Sequence, residues 1–360
     1  MIRVFAHILF LHAFFLCSGQ SSTLTDGPYV FYGKDYLVIK SITNGQLKKD
    51  SAALHSARNT LLTVTVSAQP GVSFNVPIKR NLQPEASTYR SADNLLALSD
   101  IEGTFEGLNK LLLSGGVIDN QFNWIFGKGH LVICGDMFDR GEDVTACLWL
   151  LYKLEDEAKA KGGHVHVILG NHEIMNMSED FRYVNAKYNE AASLMGTTYK
   201  ELYTANTELG RWLRTKNIME RIGNYLFLHG GVSQPINQSG LSLDEINDQA
   251  RPYYQMSGFD SVLNEAHVLP LFSGDTAPFW YRGYFLQPQA SMAQIDSTLN
   301  LFNVKRIVVG HNIVDSIQTR YEGKIIAIDV NYHLSNYQAL VINGKDIYRI
   351  NAAGEMKKLN

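Results

Sequence analysis

The sequence predicts an α/β fold: helices outside a mostly parallel or mixed sheet, preceded by a small β module. Three observations carry this. Residues 95–102 (LLALSDIE), 131–141 (LVICGDMFDRG), 165–173 (VHVILGNHE), 225–231 (YLFLHGG) and 306–312 (RIVVGHN) are each a short apolar run that stops at Asp, Asn or His. Such runs, bounded by turn signals, read as buried strands. Helical patterns follow the first two, at 104–113 and 144–161, and strands alternating with helices argue an α/β sheet. Finally, all five runs deliver their polar residues at the carboxyl end, where α/β sheets bind ligands.

Taken in order, the chain opens with Arg3, an apolar stretch at 4–16 and then Cys17-Ser18-Gly19. This has the form of a signal peptide over residues 1–19, and it predicts an exported protein, periplasmic or secreted. The stretch is too short for a membrane span. Phe14-Phe15-Leu16 lacks the small residues expected before a lipidated Cys, which argues against an anchor at Cys17. Residues 20–90 hold short β-branched or aromatic runs at 29–32, 36–42, 61–66 and 72–77, and read as a small antiparallel β module. Its polar residues form no constellation, so a structural or partner-binding role is expected. Residues 91–350 form the main domain. Within it, 174–222 reads as a mainly helical insertion rich in Met and Tyr. Residues 241–285 are mixed and aromatic, and include Pro278-Phe279-Trp280-Tyr281-Arg282-Gly283. Long insertions between site-bearing strands often build walls that select substrate, the alternative being a helical cap that only covers the sheet. Strand patterns return at 324–330 and 339–342.

With 360 residues, 45% hydrophobic and 19% charged, the composition is that of an ordinary globular protein. A net charge of −3 supplies no basic field for nucleic acid or an anionic membrane. After signal removal no apolar stretch is long enough to span a membrane. Cys134 and Cys147 lie in buried strand and helix patterns and read as free thiols, not a disulfide.

The polar tips bring together Asp100, Glu102, Asp136, Asp139, Asn171, His172, His229 and His311. Four carboxylates in one place repel and raise each other's pKa unless cations sit between them. Carboxylate with imidazole and amide suits Mn, Fe or Zn, and Mg less well. The groups suffice for two metals bridged by one carboxylate, an arrangement that stabilises attacking and leaving oxygens in phosphoryl transfer. Arg140 follows at once, and a guanidinium grips phosphate in a two-pronged way.

Gly135-Asp136-Met137-Phe138-Asp139-Arg140-Gly141 resembles the GDxxDRG signature of the calcineurin-like metallophosphoesterases, and Gly170-Asn171-His172-Glu173 their GNHE signature. The spacing agrees: 36 residues from Asp100 to Asp136 and 35 from there to Asn171. His229 in HGG and His311 in GHN resemble the two later His positions. The resemblance runs over 95–342 and is most similar to the phosphoprotein phosphatase branch, including its Shewanella-like phosphatases. It implies a four-layer αββα sandwich, a central pair of packed sheets flanked by helices. It further implies that Asp100 and Asp136 hold a first metal, with Asp136 bridging to a second held by Asn171, His229 and His311. A hydroxide between the metals would attack phosphorus. His172, oriented by Asp139, would protonate the leaving oxygen. Arg140 would hold the phosphate, with Arg282 as a second clamp. The substrate so implied is a phosphomonoester, of a phosphoprotein or a small molecule.

One position departs from the family. Its first signature is GDxHG, and here Glu102 stands in place of His within Ser99-Asp100-Ile101-Glu102-Gly103. Glu still binds metal, but adds negative charge and favours a harder cation such as Mn, Fe or Mg. Two competing functions are a phosphodiesterase or nucleotide pyrophosphatase, and an inactive metal-binding or adhesion module working through residues 20–90. Among the other polar residues, His164 and His166 read as alternating strand residues, His130 as surface and Glu106 as an exposed helix position. Asp275 reads as a turn residue. Glu173 either supports Asn171 or caps the next helix, and Tyr183, Tyr188, Tyr199 and Tyr203 either line a pocket or pack the insertion.

Overall fold

The computed structural model describes residues 24–256 and 268–359; the signal peptide reading at 1–19, with Cys17, falls outside them. Two six-stranded sheets form the body. The first runs, in order, through Met356–Lys358, Asp346–Asn351, Gln338–Asn343, Asn94–Leu98, His130–Cys134 and His164–Ile168. The second runs through Gln318–Arg320, Ile325–Ala327, Arg306–Val309, Tyr225–Leu228, Met219–Ile222 and Thr88–Tyr89.

Each sheet contains three consecutive parallel strands, and these are the apolar runs that stop at polar tips. Leu96 pairs with Leu131 and Val132 with His166 in the first sheet. Leu226 pairs with Ile307 and Val308 with Ile326 in the second. Parallel pairing in this register brings the carboxyl ends of each trio to one edge. The sheets join through a parallel bridge between Ile168 and Asn217, and through His166 Nδ1, 2.7 Å from Glu220 of the opposite sheet.

The helices Phe105–Ser114 and Val144–Ala160 pack together, the first also on strand Asp346–Asn351 and the second on His164–Ile168. Val144–Ala160 is buried at every position from Val144 to Leu154, as expected of a helix apolar on all sides. Its second face is covered by the N-terminal strands. The Trp149 indole N–H donates to the Pro28 carbonyl at 2.8 Å, and Lys79 N donates to the Tyr152 hydroxyl at 2.7 Å. That N-terminal region, read from sequence as one β module over 20–90, comprises a three-stranded antiparallel sheet (Asp26–Tyr32, Tyr36–Thr43, Gln46–Ala53) and the hairpin Leu61–Thr65/Ser73–Pro77. Its last residues, Thr88–Tyr89, join the second large sheet.

The insertion after the third tip begins as helices Asn171–Met177, Ala186–Leu194 and Glu208–Leu213. It does not stay helical to residue 222. Met219–Ile222 turns through Gly223-Asn224 to pair antiparallel with Tyr225–Leu228, burying Met219 against Leu228. Cys134 and Cys147 are both free and buried.

Candidate active site

The strand tips meet in a cleft of about 550 Å³ lined by Asp100, Glu102, Asp136, Arg140, Asn171, His172, Arg282 and His311. His229 is fully buried beside Asp136 and Asn171. The backbone that presents these groups is unusual. Asp100, Glu102, Asp136, Asp139, Arg140 and His311 have φ of 54°, 44°, 56°, 73°, 53° and 64°. Left-handed backbone is costly for residues with a Cβ, least for Asp and His, and it concentrates at functional sites.

Cross-links between tips hold the strained turns. Glu102 N donates to the Asp136 carbonyl at 3.0 Å, and Gly103 N to that of Met137 at 2.9 Å. The buried Glu173 carboxylate accepts from the N–H groups of Gly170, Asp136 and Met137 at 2.7, 2.8 and 2.7 Å, and from Phe138 at 3.2 Å. Glu173 therefore both closes the start of its own helix and staples the third tip to the second. Gly170 has to be glycine: a Cβ there would lie 2.2 Å from Asp136 Oδ1.

His229 Nδ1 lies 2.7 Å from the Cys134 carbonyl, which fixes the proton on Nδ1. Its Nε2 then faces Asp136 Oδ2 at 2.9 Å and Asn171 Oδ1 at 3.0 Å. Three ligand-type atoms converge here, a set that a cation would satisfy together. Burial opposes charge on His229, but Asp136 and Asp100 outweigh it and push its pKa up to about 10. His311 Nε2 lies 3.1 Å from the Trp280 carbonyl, which leaves Nδ1 for a ligand. Burial, with His229 and Arg282 nearby, holds His311 neutral. Burial, reinforced by Asp136, raises Asp100 to about 6. Ligand atoms of Asp136, His229 and His311 lie within 4.8 Å of one another, as do those of Glu102, Asp136 and His172. Asp136 belongs to both groups, and carboxylate with imidazole and amide fits divalent Mn, Fe or Zn.

Above these acceptors sits a buried His–Asp pair. His172 Nδ1 lies 2.5 Å from Asp139 Oδ2. Asp139 Oδ1 accepts from Asn176 at 3.0 Å, and Asn176 Oδ1 accepts from the Tyr199 hydroxyl at 2.6 Å. Burial alone would lower the His172 pKa, but Asp136 and Asp139 reverse this and raise it. Arg140 stacks over the Tyr183 ring at 5.3 Å and pairs with Glu102. Arg282, exposed, donates through Nη1 to the His311 carbonyl and Asn312 Oδ1 at 3.0 and 3.1 Å.

All ten residues singled out from sequence thus gather here. Sequence reasoning missed several others. Ser99 Oγ donates to Asp100 Oδ2 at 2.5 Å, and Trp280 orients His311. Asp329, pushed up to about 9 by burial and by Asp100, and His333, 2.8 Å from Glu102 Oε2, also line the cleft. Both follow strand Ile325–Ala327, a sixth apolar run ending in polar residues, so the signal that found the other tips was present. His130 is a correction: it is partly buried, not surface, and its Nδ1 lies 2.9 Å from His166 Nε2. His164 and His166 stand outside the cleft, and Glu106 is exposed beside Lys110. Tyr188, Tyr199 and Tyr203 are buried packing residues, whereas Tyr183 faces His172 and Arg140. Asp275 sits in an exposed turn.

Two trios of parallel strands tipped with acids and imidazoles, with Arg140 beside the second tip and Arg282 reaching in from a loop, define a metal-dependent hydrolase of phosphoric esters. The chain belongs to the calcineurin-like phosphoesterase family, whose model matches residues 94–315. Among its relatives, the Shewanella-like protein phosphatase 2 of Arabidopsis thaliana is 26% identical over 289 residues, 67% of this chain and 72% of the relative. The Shewanella-like protein phosphatase 1 of Plasmodium berghei is 30% identical over 239 residues, 63% of this chain and 65% of the relative. The crystal structure of a cold-active protein-tyrosine phosphatase of a psychrophilic Shewanella species superposes with a TM-score of 0.84 at 33% identity, covering 93% of this chain and 99% of that one. The protein is a phosphatase of this family.

Proposed function

We propose that this phosphatase hydrolyses phosphomonoesters with two divalent cations sharing Asp136, and that phosphotyrosine-like aryl esters are its best substrates. The convergence of ligand-type atoms from Asp136, Asn171 and His229 beneath the His172–Asp139 pair carries the reading. Asp100, Glu102 and Asp136 would hold one cation, and Asp136, Asn171, His229 and His311 the other. When bound, such cations supply an activated solvent nucleophile and neutralise phosphoryl charge. The chain does the rest. Arg140 and Arg282 grip the non-bridging phosphate oxygens from two sides of the cleft. His172, protonated at Nε2, gives its proton to the leaving oxygen, and Asp139 keeps the other ring proton on Nδ1. Tyr183, Phe285 and Leu286 offer apolar surface to an aryl leaving group, consistent with the tyrosine phosphatase named among the structural neighbours.

The test is turnover of p-nitrophenyl phosphate by metal-stripped protein resupplied with Mn. Hydrolysis that requires metal and vanishes in Asp136→Asn supports the reading. Activity on bis-p-nitrophenyl phosphate but not on the monoester would replace it with a diesterase. We also infer export, on the strength of the leader pattern at 1–19. N-terminal sequencing of protein from the native host tests it: a chain starting at Gln20 agrees, and one retaining Met1 does not.

A further inference from the structure

The position where the family signature has an imidazole carries Glu102 here, and the structure puts an imidazole beside it from elsewhere in the chain. His333 Nε2 lies 2.8 Å from Glu102 Oε2, across 231 residues of sequence. We infer that His333 is a positioning residue that locks the Glu102 carboxylate for the first cation and limits Arg140 to one of its oxygens. This rests on the two-cation reading above.

The geometry divides the labour between the two carboxylate oxygens. Oε2 is taken by His333, while Oε1 pairs with Arg140. One Glu102 oxygen lies within 4.8 Å of ligand atoms of Asp136 and His172, in reach of a shared ion. Without His333 the carboxylate could rotate to give both oxygens to the Arg140 guanidinium, the two-pronged pairing that Arg and carboxylate favour. That pairing would remove a ligand from the cation and a clamp from the phosphate together.

His333 is placed to resist this. It sits in the turn Tyr332–Leu334, where the Asn331 side chain accepts from Leu334 N at 3.2 Å. The neighbouring Tyr332 ring is buried, and its hydroxyl donates to the Gln338 carbonyl at 3.1 Å. The turn is thus held, and the exposed His333 ring reaches Glu102 from it. Ligating carboxylates are commonly fixed by outer hydrogen bonds, whose loss costs about 10–100-fold in metal affinity or activity.

The experiment is calorimetric titration of metal-stripped, full-length protein with Mn²⁺ alone. The wild type should bind two equivalents. His333→Ala should weaken one of them about 10–100-fold and leave the other unchanged. His333→Gln, which retains a donor of similar reach, should recover part of the loss. In an Glu102→His background, adding His333→Ala should change nothing further, because its acceptor is gone. Two equivalents bound as tightly in His333→Ala as in wild type would overturn the inference while sparing the two-cation reading. So would an equal loss in the Glu102→His background, which would mark the effect as structural. A wild type that binds no Mn²⁺ would remove the two-cation reading and this inference with it.

Discussion

Asp139→Asn separates proton donation from the rest of the chemistry. Asp139 is neither a phosphate-gripping residue nor one of the proposed cation ligands; it holds His172 Nδ1 at 2.5 Å with one oxygen and accepts from Asn176 with the other. The substitution keeps size and shape but removes the charge that helps raise the His172 pKa. A hydrogen bond to a charged group contributes about 1.5–3 kcal/mol. At about 1.4 kcal/mol per factor of ten, losing it from the protonated form costs about 10- to 150-fold in rate when the leaving group needs the proton. Phenyl phosphate, whose leaving oxygen is basic, should show the full loss. p-Nitrophenyl phosphate, which leaves as a stabilised anion, should lose far less. The pH profile has a sign as well. Protonated His172 is lost as pH rises through its raised pKa, so the alkaline limb of kcat should move to lower pH in the variant. Steady-state kinetics on both esters at saturating Mn, from pH 5 to 10, read both effects. Equal losses on the two esters with an unmoved alkaline limb would refute His172 as the proton donor.

Three further outcomes follow from the same geometry. Glu173→Gln turns an amide NH₂ toward two of the four N–H groups that now meet carboxylate oxygens, and two orphaned buried donors should cost about 2–6 kcal/mol, seen as a large drop in melting temperature; unchanged melting would show the staple is dispensable. Gly170→Ala drives a Cβ to within 2.2 Å of Asp136 Oδ1, so kcat/KM should fall about 100-fold while circular dichroism keeps the fold; wild-type kinetics would contradict the close approach. Far from the cleft, burial raises the Glu220 carboxyl from 4.5 to about 8, so its folded state holds a proton that the unfolded chain has released; its contribution is intact below pH 4.5 and is lost as pH rises toward 8. Glu220→Gln needs no proton and should raise melting temperature more at pH 8.5 than at pH 5, a difference that thermal melts at the two pH values would reveal or deny.

The site was legible because one physical rule generated it: parallel strands buried on both faces are apolar until their carboxyl ends, where polar side chains emerge. The rule would also have delivered Asp329 and His333, since Ile325–Ala327 obeys it, but no family signature drew attention there. Other features were less visible. Strand Gln46–Ala53 (QLKKDSAA) has almost no apolar side chain, because it is a solvated edge, and lysines suit edges. Its one clue is Asn44-Gly45, both at positive φ, a turn that favours hairpins. The strand Met219–Ile222 reads as helix from composition; only its pairing with Tyr225–Leu228 decides otherwise. The role of Glu173 as a staple could not be read at all, since its acceptor sites are filled by backbone groups some 35 residues away.

The claim at the centre is that side chains from both sheets hold a pair of cations about one shared carboxylate. Anomalous diffraction from Mn²⁺-loaded crystals tests it most directly. Two peaks in the cleft are expected, both in contact with Asp136, one also bounded by Asn171, His229 and His311 and the other by Asp100 and Glu102. A single peak, or peaks that leave Asp136 out, would contradict it.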